Sequence, residues 1–180
     1  MSNDFLLKIV HNNYADEEIK AAFAKLTSKD LVKRFDYLVK SLEVTAATAK
    51  LSKRLISKID KEDLTGKLID FIEYQKSDDL DIREVTTFLA HNKIDEQELI
   101  DNFETLVDYQ NSDDKDVRLL TANLALLIDP AKLKNKVKFL EKNSVSKVAK
   151  VRQLSVRLLK NIKTPPRPEK TQEIVEMILS

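Results

Sequence analysis

A chain of 180 residues with 42% hydrophobic side chains can bury one sizeable core, and a single glycine with four prolines is too few for the turns of a sheet protein. The lack of cysteine excludes disulfides and thiolate metal sites, and no stretch reaches the roughly 18 apolar residues of a membrane span. The net charge of +1 hides three regions: 11 basic against 7 acidic side chains in 1–59, 7 against 19 in 60–129, and 13 against 4 in 130–180.

The opening "MSNDFLLKIVHNN" has no basic start, so no signal peptide is expected and a cytoplasmic location is. Residues 1–27 read as a short, atypical helix pair that caps the rest of the chain. From about 28 to 60, Leu31, Phe35, Leu38 and Leu42 line one helix, and Leu51, Leu55 and Ile59 line a second. From 61 to 94 the plan recurs. Leu64, Leu68, Phe71 and Ile72 mark the first helix; Ile82, Val85 and Leu89 mark the second. From 95 to 129, one helix is expected over Glu96–Gln110, with Leu99, Phe103, Leu106 and Val107 on one face. A second is expected over Lys115–Ile128, striped by Val117, Leu120, Leu124 and Leu127. From 130 to 163, Asp129-Pro130 starts a helix carrying Leu133, Val137 and Leu140, and Val148, Val151, Leu158 and Ile162 line its partner. The proline-rich 164–170 is expected to be a linker, and 171–180 a short amphipathic helix.

These segments repeat one another. "YQKSDDLDIREVTTFLAHN" from Tyr74 returns without a gap as "YQNSDDKDVRLLTANLALL" from Tyr109. Such fixed self-similarity is the mark of a repeat architecture. The Ser and Asp of the "SDD" turns are placed to cap the following helix.

A helix pair followed by Asp81-Ile82-Arg83, Asp116-Val117-Arg118 or Lys150-Val151-Arg152 resembles the HEAT repeat and its armadillo relatives. The resemblance implies an all-α, right-handed α-solenoid of about four to five stacked helix pairs over residues 1–163. It also implies that Asp81, Arg83, Asp116, Arg118 and Arg152 form a structural ladder. In this architecture the second helices line the concave side. The stripe opposite their core positions then faces a groove: Lys50, Lys53 and Arg54; Glu84, Thr87, Phe88 and His91; Leu119, Asn123 and Leu126; Gln153, Arg157 and Lys160.

Catalytic signatures are missing from this chain. One glycine leaves no phosphate-binding loop, and His11 and His91 belong to no metal or triad motif. The aspartate runs Asp78–Asp81 and Asp113–Asp116 resemble the start of a calcium loop, but the twelfth position falls on Leu89 and Leu124, which are core residues. No catalytic residue, cofactor or metal is therefore expected. The expected function is a non-catalytic scaffold or adaptor that binds a protein or peptide through Lys53, Arg54, Phe88, His91, Leu119, Asn123, Leu126, Arg157 and Lys160. The rival is nucleic-acid binding through residues 132–163, with Lys134, Lys136 and Lys138 on phosphates. A DNA-repair glycosylase, known among HEAT-like proteins, is disfavoured by the absence of tryptophan and the acidic middle.

Overall fold

The computed structural model describes residues 25–164. The expected N-terminal cap and His11, the linker beyond Thr164 and the C-terminal helix lie outside them. The described residues are all-helical, with no strand among them. They fall into two compact units that divide between Asp95 and Glu96, at a boundary between repeats.

The first unit holds α1 (Ser28–Val32), α2 (Phe35–Lys40), α3 (Ala46–Ser57), α4 (Leu68–Glu73) and α5 (Leu80–Asn92). Its two repeats are α1–α3 and, after a 3-10 turn at Lys61–Leu64, α4–α5. Helix α2 packs on α3, and α4 on α5. The core is the expected one: Leu31, Phe35, Leu38, Leu51, Leu55, Ile59, Leu64, Leu68, Phe71 and Ile72 are buried. Phe35 and Phe71 meet with ring centroids 5.4 Å apart, which joins the two repeats. Two polar ties run alongside. The Ser28 hydroxyl accepts the Asp60 amide at 2.8 Å, and the Tyr74 hydroxyl donates to Asp36 at 3.0 Å.

The second unit holds α6 (Glu96–Asp101), α7 (Phe103–Asp108), α8 (Lys115–Leu127), α9 (Val137–Asn143) and α10 (Ala149–Lys163). Here α7 packs on α8 and α9 on α10, while α10 also touches α7. The same kinds of tie join its repeats. Phe103 meets Phe139 edge-on at 6.2 Å, and Glu96 accepts the Asp129 amide at 2.8 Å.

The first helix of each repeat is broken where one continuous stretch was expected. Glu96–Gln110 divides into α6, α7 and a 3-10 turn at Tyr109–Asn111. Asn102 sits at the break with φ −96° and ψ 9°, and its side-chain amide donates to the Glu98 carbonyl. A side chain that bonds the backbone locally competes with the helix in this way. In the first unit the breaks fall at Lys33–Arg34, between α1 and α2, and at Gly66, whose φ of +83° lies in the left-handed region open to glycine.

Five expected core residues are corrected: Val85, Val137 and Ile162 are half-buried, and Leu127 and Val148 are exposed. Leu127 is 41% exposed, and Ile128 is buried in its place. Eleven residues after Val117 an α-helix has returned to within about 20° of the same bearing, whereas ten residues leave it about 80° away. Val148 is 39% exposed because it stands at the N-cap of α10, before the helix begins.

Candidate partner-binding groove

The second helix of each repeat is started by its turn. Asp79 accepts the Ile82 amide, and Asp114 accepts the amides of Asp116 and Val117. Ser77 and Ser112 accept the amides of Asp79 and Asp114 in turn. Two of the aspartates that looked like the start of a calcium loop, Asp79 and Asp114, are thus committed to helix caps. Thr45 fills the same place before α3, closing a capping box with Thr48.

The arginines expected in a ladder act on the same turns. Arg83, Arg118 and Arg152 donate to the carbonyls of Ser77, Ser112 and Ser146 at 2.7, 2.6 and 2.6 Å. Each therefore ties its helix to the turn six residues back. Asp81 pairs with Lys53 of the preceding repeat at 2.7 Å.

A second periodic feature was not anticipated. Gln75 donates to Thr86, and Gln110 to Thr121, both at 2.8 Å and both buried. The Ser41 and Ser52 hydroxyls meet in the same register at 2.5 Å. Polar residues recurring on an otherwise apolar stripe are the signal that could have revealed this bridge.

With each second helix pinned to its own repeat, the opposite face is left to solvent. In the second unit α8 and α10 flank a groove of about 350 Å³. Leu119, Asn123, Leu126 and Arg157 of the expected set meet there, together with Gln153. Leu119 is 56% exposed, although it lies mid-helix on α8. Sequence reasoning missed Lys115 and Lys150 on this rim, and it read Arg118, which also lines it, only as a ladder residue. Apolar Ala122 and Leu154 extend the floor. The lining carries four cationic side chains and no acidic one.

The first unit presents a different surface. Phe88, 51% exposed, lines a depression of about 270 Å³ with Lys53, Ile56, Ser57, Glu84, Val85 and Leu89. Lys53 and Arg54 border a second one with Ala46, Ala49, Lys50 and Asp81. Here positive and negative charges are mixed, and Lys53 is paired. His91 and Lys160 are not among the residues lining these depressions. His91 is half-buried, and its Nδ1 lies 2.9 Å from the Thr87 carbonyl. A carbonyl only accepts, so Nδ1 is the protonated nitrogen.

The lysines expected on phosphates are partly spoken for. Lys136 pairs with Glu104 at 2.9 Å, and neighbouring Lys132 pairs with Glu96. That pair holds the Glu96 carboxyl below its ordinary pKa and raises that of Lys132, in each case first through their mutual hydrogen bond. Lys134 and Lys138 are exposed.

Among the described residues no helix is long and apolar enough to cross a membrane, and no cluster of three His, Asp or Glu is placed to hold a metal ion. No family model, curated protein or solved structure matches the chain.

Proposed function

We propose that the chain is a non-catalytic scaffold of HEAT-like repeats that binds a protein or peptide partner through the exposed face of its second helices. The observation that carries this reading is the groove between α8 and α10, where Leu119 stands exposed in the middle of a well-capped helix. Large apolar side chains set in a groove and rimmed by polar groups are characteristic of binding surfaces. The periodic caps and bridges support a repeat array, which in the proposed form is a right-handed α-solenoid. Pairing of Lys132 and Lys136 with Glu96 and Glu104 weighs against a phosphate-binding surface on α9 and the turn before it.

Affinity capture from a cell lysate with the full chain tests the proposal, with and without nuclease, at low and high salt. The expected result is a discrete protein that survives nuclease and is lost with Leu119→Asp. Capture that disappears with nuclease would overturn it in favour of nucleic acid.

A further inference from the structure

We infer that the α8–α10 groove takes an acidic amphipathic segment of a partner protein, a specificity that rests on the binding role proposed for that groove. The charge of the lining selects this class. Lys115, Arg118, Lys150 and Arg157 surround the groove, and no carboxylate lines it. Among the described residues Lys115, Lys150 and Arg157 have no ion-pair partner, whereas Lys53, Lys132 and Lys136 are each paired. Arg118 already gives one guanidinium nitrogen to the Ser112 and Asp113 carbonyls, so it is held in place and contributes its charge. Three cations without an ion-pair partner and one fixed one thus stand around a site whose lining supplies them no counter-charge.

The floor supplies the second half of the match. Leu119, Ala122 and Leu126 follow one another at i, i+3 and i+7 on α8, and Leu154 faces them from α10. Such a strip receives the apolar side of an incoming helix or extended segment. Asn123 and Gln153 lie among these residues and offer amide groups to the partner's backbone. Nucleic acid would use the cations but not the leucines, and the lining holds no aromatic ring for base stacking. A basic or neutral peptide would use the leucines and leave the cations unanswered.

The experiment uses the full chain and a labelled peptide of about 14 residues, with leucines at helical spacing along one side and glutamates flanking them. Fluorescence anisotropy compares it with the same peptide carrying Gln for every Glu, and with a single-stranded oligonucleotide. The expected result is that the acidic peptide binds about tenfold or more tighter than its Gln analogue. Lys150→Glu with Arg157→Glu should remove that preference, and Leu119→Asp should weaken both peptides. All of these positions are on the surface, so circular dichroism should show the fold retained. Equal binding of the two peptides, or tighter binding of the oligonucleotide, overturns the proposal. A concentration-dependent dimer lost with Leu119→Asp would instead assign the groove to a second copy. A gain in peptide affinity with Glu173→Lys and Glu176→Lys would assign it to the chain's own "TQEIVEMIL" segment. Should the acidic peptide fail while Leu119→Asp still abolishes protein capture, the partner class is wrong and the groove stands. Should Leu119→Asp leave capture intact, the groove reading itself is wrong.

Discussion

Thr121 is fully buried, and its hydroxyl donates to the Val117 carbonyl while accepting from Gln110. Gln110 also donates to the Arg118 carbonyl at 2.9 Å, so one amide closes the gap between a first helix and a second. Gln110→Ala removes both of these bonds at a buried site, so it should cost about 1–3 kcal/mol in urea denaturation. The last repeat shows the reverse case. Ser144 replaces the glutamine there, and its hydroxyl turns to the Glu141 carbonyl. Ser155, in the place of Thr121, is left fully buried with its hydroxyl unpartnered. Ser155→Ala should therefore be neutral or raise stability by about 1 kcal/mol, measured the same way. Glu96 adds a pH dependence. Its folded pKa lies below the ordinary 4.5, so its contribution is present above that value and lost as pH falls through the folded one. Between about pH 5 and pH 3 the melting temperature of Glu96→Gln should fall less steeply than that of the native chain. None of these bonds was legible from the sequence. A buried Gln or Thr looks like any polar residue until its partner on the other helix is known.

At the scale of elements, the periodic apolar stripe located the second helices well, because each is long and starts at a fixed place in its repeat. It read the first helices as continuous, and they are not. The stripe tracks which residues are buried but is blind to a break such as that at Asn102, where the side chain joins the backbone amide on the Glu98 carbonyl. Leu127 failed for a related reason, since a drift of one residue at the end of α8 turns a side chain out of the core. The caps also allow a test between repeats. Thr45, Asp79 and Asp114 occupy the N-caps of α3, α5 and α8 with side-chain bonds, and Val148 occupies that of α10 with none. The first-turn amides of α10 thus lack the acceptor its counterparts have. Val148→Asp should supply it, and the negative charge would also sit beside Lys147 and Lys150 at the positive end of the helix. A gain of about 0.5–2 kcal/mol in chemical denaturation is expected, and a loss would mean that the turn before α10 does not adopt the geometry of its counterparts.

For the whole molecule, the sequence made the repeat period, the helical class and the uneven charge legible, because each is a sum over many residues. It did not show which of the basic side chains are free. Thirteen lie beyond residue 130, and the reading of Lys134, Lys136 and Lys138 as a phosphate surface treated them alike. Folding separates them by bringing Glu104 to Lys136 and Glu96 to Lys132, contacts between residues more than thirty positions apart. The cations left facing a groove come from two different repeats, Lys115 and Arg118 from one and Lys150 and Arg157 from the next. Charge reversal can therefore locate the working surface. Lys134→Glu with Lys138→Glu removes two exposed charges outside the groove, while Lys150→Glu with Arg157→Glu removes two that line it. Both pairs change net charge by the same amount, so long-range attraction falls equally and any difference reports position. Capture of the protein partner should persist in the first double variant and fall about tenfold in the second. An equal loss in both would mean that the partner responds to the charge of the whole C-terminal region, and the groove would then have no special claim on it.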